Sequence, residues 1–179
     1  TGLVIDTTGN LQINNIKAND NKVGALSVNV RNGNISLANI TANNNSGWAS
    51  VSLNNYYTEA STGNVTISGS NSLSNNSAMG LYVRSNGTIS LSGITAQGNG
   101  TTGIYAEGLG IDKNLTVQNV NTHLNGALGG GSQHAHGLHL KAAGGTIRLT
   151  NVKSSNNNDY NSAAVTPLST GLFIDNGTG

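Results

Sequence analysis

The 179 residues carry only 8% charged side chains and a formal net charge of +1, which leaves no electrostatic footprint for nucleic acid or an anionic membrane. Cysteine is absent, so disulfides, thiolate metal sites and a cysteine nucleophile are excluded. No apolar run reaches the length of a membrane-spanning helix, and no sustained 3.6-residue periodicity predicts a helix.

Taken from the amino end, the chain repeats two kinds of strand. The first opens on a residue that is usually small (Gly2, Ala25, Trp48, Gly80, Gly103, Gly137, Gly171) and then places two apolar residues two apart. The pairs are Leu3 and Ile5, Leu26 and Val28, Ala49 and Val51, Leu81 and Val83, Ile104 and Ala106, Leu138 and Leu140, and Leu172 and Ile174. A Gly-Asn, Gly-Thr or Lys-Asn turn leads into the second strand, whose copies begin at Leu11, Ile35, Val65, Ile89, Leu115 and Ile147. Each copy reads apolar, polar, apolar, polar, Asn or Gly, and then usually an apolar residue. Period-two alternation puts one side of each strand inside and leaves the other wet.

Five residues beyond the sixth position of each second strand stands an asparagine: Asn21, Asn45, Asn75, Asn99, Asn125 and Asn157. The repeat has a base period of about 23 residues, and one unit cannot bury its apolar side alone, so copies must stack. Residues 1–179 are therefore expected to form one all-β unit, a single-stranded right-handed parallel β-helix of about six coils without helical caps. The coils start near 2, 25, 48, 80, 103 and 137, and a further coil begins at 171. Stacked interior columns follow: the six strand-opening residues in one, and Ile13, Leu37, Ile67, Leu91, Val117 and Leu149 in the next. A third holds Ile16, Ile40, Ser70, Ile94, Val120 and Val152, where Ser70 is expected to weaken packing. An amide carries both donor and acceptor, so asparagines one coil apart can bond in series along the axis.

Insertions fall at corners, around 54–61 and 107–113 between the strands and at 126–136 and 158–170 after the asparagine. Such corner loops are the usual seat of function on a solenoid. The opening Thr1-Gly2-Leu3-Val4-Ile5-Asp6 returns near the end as Thr170-Gly171-Leu172-Phe173-Ile174-Asp175, and neither end reads as an atypical capping repeat. Tandem copies or end-to-end stacking are the expectation.

The outward positions of the first strand line up Tyr82, Tyr105, His139 and Phe173, an aromatic column suited to a sugar ring or a neighbouring rod, or simply to stiffening the sheet. Beside it run Arg84, Glu107, Lys141 and Asp175, alternating in sign, with Asp6 in the position of Asp175. The seven carboxylates (Asp6, Asp20, Glu59, Glu107, Asp112, Asp159, Asp175) do not gather on adjacent coils. Glu59 with Glu107 and Asp112 is the nearest grouping, two coils apart, and glycoside chemistry needs about 5 to 9.5 Å between its carboxyls. His134, His136 and His139 cluster without a carboxylate or thiolate, so no metal site and no cofactor is expected. Sequons such as Asn34, Asn64 and Asn114 follow from the composition. The outward row Asn14, Ala38, Ser68, Ser92, Gln118 and Thr150 is too irregular for an ice-binding array.

The recurring turn, alternating strand, Asn-Ile-Thr-Ala and terminal Asn-Asn resemble the repeat of right-handed parallel β-helix proteins. These include the pectate-lyase-like enzymes and large bacterial surface proteins. The resemblance implies that the asparagines form that family's internal ladder. With few charges and many Asn, Gly and Thr, the surface looks more like extracellular adhesins and filaments than like the enzymes. The expected function is structural and non-enzymatic: a rigid stalk or repeat unit of an adhesin, filament or sheath, extracellular or at the cell surface, with copies of itself as partner. The alternative is a carbohydrate-binding or polysaccharide-degrading β-helix, lyase- or tailspike-like, whose partner is a polysaccharide or cell-surface glycan.

Overall fold

The computed structural model describes residues 1–56, 62–126, 136–157 and 171–177. In chain order the strands are β1 (Leu3–Thr7), β2 (Leu11–Asn14), β3 (Leu26–Val30), β4 (Ile35–Ala38), β5 (Ala49–Asn55), β6 (Val65–Ser68) and β7 (Asn71–Ser72). They continue as β8 (Met79–Ser85), β9 (Ile89–Gln97), β10 (Ile104–Gly108), β11 (Leu115–His123), β12 (Leu138–Ala142), β13 (Ile147–Ser155) and β14 (Leu172–Asp175). One sheet runs β1-β3-β5-β8-β10-β12-β14, and the other runs β2-β4-β6-β9-β11-β13 with β7 also on β9. Every pairing is parallel, so the chain is an all-β parallel solenoid, and the described residues contain no helix.

The two strands of each coil face each other across an apolar interior. Leu26, Ile35, Leu37, Leu53, Ile67, Leu81, Ile89, Leu91 and Ile104 are each at most 1% exposed. About four turns, between Ala25 and His136, are closed and covered on both sides, rather than the six expected from the repeat count. The reason is geometric: a terminal coil has a neighbour on one side only. Leu3 is 39% exposed and Leu172 41%, and Leu11, Ile13, Ile147 and Leu149 are only partly covered.

Two details of register depart from the repeat read in sequence. In the third coil the inward pair is Val51 and Leu53, which lie beside Leu26 and Val28, while Ala49 pairs with Met79. Ala49, Val51 and Leu53 are three apolar residues two apart, so alternation alone fits either pair, and the coil opens on Ser50 rather than Trp48. The buried Ser50 hydroxyl, 3.2 Å from Ala42 O, ties that corner down. Further on, Gly69-Ser70 stands where neighbouring coils have one corner residue, which moves the rest of the coil by one. The third column is therefore filled by Asn71 and not by Ser70, which is exposed. Asn71 is 3% exposed, donates to Ser68 O, Ser92 O and Gly93 O, and accepts from Ile40 N. A polar group in the aliphatic column is thus fully satisfied.

The same insertion corrects the asparagine series, which passes through Asn76 and not Asn75. Side-chain amide donates to side-chain carbonyl from Asn21 to Asn45 (2.9 Å), Asn45 to Asn76 (3.1 Å), Asn76 to Asn99 (2.9 Å), Asn99 to Asn125 (2.8 Å) and Asn125 to Asn157 (2.8 Å). Each receiving Oδ1 also accepts the backbone N–H of the donor residue. The second amide proton of Asn76, Asn99 and Asn125 goes to a main-chain carbonyl. Side-chain bulk must be absent next to this row: a Cβ on Gly103 would lie 2.7 Å from Asn125 Nδ2.

Asn75 has a different task. With Asp20, Asn44, Leu124 and Asn156 it holds a corner at φ between 51 and 58°, where Gly98 adopts 64°. A second corner is turned by Asn15, Asn39, Asn119 and Asn151 (φ 50 to 59°), with Gly69 and Gly93 in the same column. The left-handed region is costly for most side chains and tolerated by Asn, Asp and Gly, which explains the abundance of Asn and Gly.

Candidate functional surface

The outward side of the first sheet sets an aromatic column beside a charged one. Parallel pairing sets Tyr82 beside Tyr105, Tyr105 beside His139, and His139 beside Phe173. Tyr82 and Tyr105 stack at 5.2 Å between centroids and 11° between planes. Tyr105 meets His139 edge-on at 4.7 Å, and His139 meets Phe173 edge-on at 4.7 Å. Trp48 continues the row, edge-on to Tyr82 at 4.7 Å, and is 56% exposed. His136, only 3% exposed, stacks on Phe173 at 5.1 Å and meets His139 edge-on at 5.0 Å. Ring contacts of this geometry stabilise beyond the area they bury. Within the row Tyr82 and Tyr105 cover one face of each other.

The charged column lies one step along the strands. Arg84 Nε is 2.9 Å from Glu107 Oε2, and Lys141 Nζ is 3.0 Å from Oε1. Glu107 is therefore clamped from both neighbouring coils, with its side chain 14% exposed. The alternating column stays in register as far as Asp175, but the pairing stops short of it: Lys141 turns to Glu107, while Asp175 accepts the Gly177 N–H. Asp6 is 3.5 Å from Arg31 at the other end of the sheet. The Arg84 guanidinium sits 5.3 Å from the Tyr56 ring centroid.

Burial raises the Tyr82 hydroxyl above its ordinary value, and burial followed by the Glu107 charge raises Tyr105 further. Burial, reinforced by His136 and Lys141, lowers His139 to about 4. The column is thus uncharged near neutrality, and charge is confined to the next row.

A groove of about 420 Å³ follows the strand ends, lined by Glu107, Leu109, Lys141, Ala143 and Asp175 among others. Its two carboxylates are two rungs apart, roughly 10 Å at the sheet spacing. Lys141 stands between them, and both oxygens of Glu107 are already engaged. Glu59, His134 and Asp159 lie outside the described residues. Among the described residues no group of three or more His, Cys, Asp or Glu is placed to hold a metal ion. His123 Nδ1 lies 3.1 Å from Ser155 O and Oγ. No helix among the described residues is long and apolar enough to cross a membrane.

Sequence reasoning did not find the outer amide row at the turn between strands. Asn10 Oδ1 accepts from Asn34 N, Asn34 Oδ1 from Asn64 N, Asn64 Oδ1 from Thr88 N, and Asn114 Oδ1 from Thr146 N. The sequon asparagines Asn34, Asn64 and Asn114 belong to this row, and the Gly-Asn, Gly-Thr or Lys-Asn turn before each second strand was its visible signal. Trp48 was likewise hidden, because the sequence register placed it at the start of a strand. Set against known protein families, curated proteins and solved structures, the chain matches none.

Proposed function

We propose that the chain is a structural rod rather than a catalyst: a stalk segment or repeat unit of an extracellular or cell-surface adhesin, filament or sheath, with copies of itself as partner. The observation that carries this reading is the axis itself. Five amide-to-amide links run from Asn21 to Asn157 beside two unbroken aliphatic columns, so these six coils are tied each to the next by bonds that water does not reach in the enclosed turns. Buried, mutually polarised amides are costly to break and resist shear between coils. The dispersed carboxylates and the low-charge surface, which resembles that of extracellular β-helical proteins, support the same reading.

The test is hydrolysis or elimination of polysaccharides by the purified protein, read as new reducing ends and as unsaturated uronate absorbance. The expected result is no turnover on acidic or neutral glycans. Sustained turnover removed by Glu107→Gln would overturn the proposal.

A second reading, glycan binding without cleavage, has one observation in its favour: Trp48 ends the aromatic row with 56% of its surface exposed. Sugar affinity lost on Trp48→Ala, with stability retained, would support it.

A further inference from the structure

Five asparagines are each followed by glycine: Asn32, Asn86, Asn99, Asn125 and Asn176. In an Asn-Gly pair no side chain on the glycine hinders attack by its main-chain nitrogen on the asparagine's side-chain carbon, so the amide can be lost without an enzyme. The reaction needs a free main-chain N–H, a free side-chain amide and water. The fold supplies these to the five pairs very unequally.

In the ladder every participant is held. Gly100 N donates to Asn76 O and Gly126 N to Asn99 O, both at 2.8 Å. Asn99 Nδ2 donates to Leu73 O and Asn125 Oδ1, and Asn125 Nδ2 donates to Ala96 O and Asn157 Oδ1. Neither asparagine is more than 1% exposed. Asn86 is buried, and Gly87 N donates to Ser85 Oγ at 3.0 Å. Asn176 is exposed, but Gly177 N donates to Asp175 Oδ1 at 3.2 Å. Asn32 is the exception. It is exposed on the bend between β3 and β4, and among the described residues neither its side chain nor the Gly33 N–H has a hydrogen-bond partner.

We infer that Asn32 is a self-modification site, and that the ladder's own bonds shield Asn99 and Asn125 from the same chemistry. The Gly33 nitrogen attacks Asn32 Cγ. The new N–C bond closes a succinimide ring as the Cγ–Nδ2 bond breaks, and ammonia leaves with the proton from the Gly33 nitrogen. Water then opens the ring at either carbonyl. The product is aspartate or, with the main chain rerouted through Cγ, isoaspartate. One water is consumed and one ammonia released, and no electrons change hands.

The product falls where the first coil is fastened to the second. Arg31 N donates to Thr7 O and Asn34 N donates to Asn10 Oδ1, so both flanks of the pair hold the preceding coil. Gly33 lies directly on that coil, where an added Cβ would come 2.5 Å from Gly9 C. Isoaspartate lengthens the main chain of this turn by one carbon, against packing that has no slack. The new carboxylate also stands one residue from Arg31, whose guanidinium faces Asp6 at 3.5 Å. Modification therefore loosens the first coil and leaves the ladder intact.

The full chain is aged at mildly alkaline pH, once folded and once unfolded in guanidinium chloride, and conversion at each Asn-Gly pair is counted by peptide mapping with mass spectrometry. Unfolded, all five pairs are expected to convert at comparable rates. Folded, Asn32 is expected to keep nearly its unfolded rate, while Asn86, Asn99 and Asn125 fall behind by about ten-fold or more, because they must wait for local opening. Asn99 or Asn125 keeping pace with Asn32 in the folded chain would overturn the shielding. An Asn32 that converts only when unfolded would overturn the site. Hydrogen exchange of the aged, folded protein should quicken at the Arg31 and Asn34 amides and stay unchanged at Asn99. Unaltered exchange at the first two would overturn the loosening.

Discussion

Asn99 donates its side-chain amide to Asn125 Oδ1 at 2.8 Å, and neither residue is more than 1% exposed. Asn99 is also the acceptor for both the amide and the backbone N–H of Asn76. Replacing it by alanine therefore strands two buried donors on Asn76, takes the side-chain donor from Asn125 Oδ1 and leaves Leu73 O without its amide proton. At about 1–3 kcal/mol for each unmet group after partial relaxation, Asn99→Ala is expected to cost roughly 3–5 kcal/mol. Urea unfolding followed by circular dichroism measures it, and a cost under about 1 kcal/mol would show that the ladder is ornamental.

Asn99→Asp sharpens the point through pH. The carboxylate would face Leu73 O and Asn125 Oδ1, two acceptors that now receive the Asn99 amide protons. Burial and those acceptors raise the folded pKa above the unfolded value near 4. Stability is then fully present below the unfolded pKa and is lost as pH rises through the folded one. The variant is expected to be less stable than Asn99→Ala at pH 7 and to recover at pH 4. A pH-independent deficit would contradict this.

His139 is expected to shape the acid limb of wild-type stability. Its folded pKa of about 4 lies below the unfolded value near 6.5, so the unfolded chain takes up the proton first as pH falls. Its contribution is intact above about pH 6.5 and declines progressively toward pH 4. His139→Phe keeps an aromatic ring against Tyr105 and Phe173 while removing the titration. The difference in stability between variant and wild type should grow in the variant's favour between pH 6.5 and 4, and a constant difference would show that His139 is not held neutral.

Glu107 forms ion pairs with Arg84 and Lys141 from one position, with its side chain 14% exposed. Glu107→Ala removes both pairs and leaves two cations two rungs apart. A loss of about 1–2 kcal/mol is expected at low salt, above the usual value for an exposed pair because the carboxylate is partly buried. Repeating the melts in 1 M NaCl should shrink the difference, since screening acts on the exposed cations.

Tyr105 tests what the aromatic row does. Its ring is stacked on Tyr82 and met edge-on by His139, so Tyr105→Ala is expected to cost about 2–4 kcal/mol in stability through lost packing and ring contacts. Glycan-array binding should be unchanged. Binding that falls with no change in melting temperature would turn the column from a stiffener into a recognition surface.

Much of the architecture was legible because two simple signals repeat in phase. Alternation in Ile35–Ala38 and its counterparts marked the inward columns, and the asparagine offset marked the corner. Failure came where one residue changed the phase. Gly69-Ser70 in place of a single corner residue hid Asn71 and Asn76, and the three-apolar run Ala49, Val51, Leu53 concealed the register of β5. The left-handed corners were written as Asn and Gly but not separable from an Asn-rich composition until backbone angles were known. On the candidate surface, alternation correctly put Tyr82, Tyr105, His139 and Phe173 on one outward line. It did not show that Tyr82 stacks on Tyr105 while His139 meets its neighbours edge-on, or that Lys141 chooses Glu107 over Asp175, because side-chain orientation is set by neighbours one coil away.

Electron microscopy of the full chain at high concentration tests the rod most directly. The account calls for particles of one width whose lengths rise in steps of roughly 29 Å, six rungs at the parallel-strand spacing. Compact particles of a single length, with no end-to-end contacts at any concentration, would contradict it.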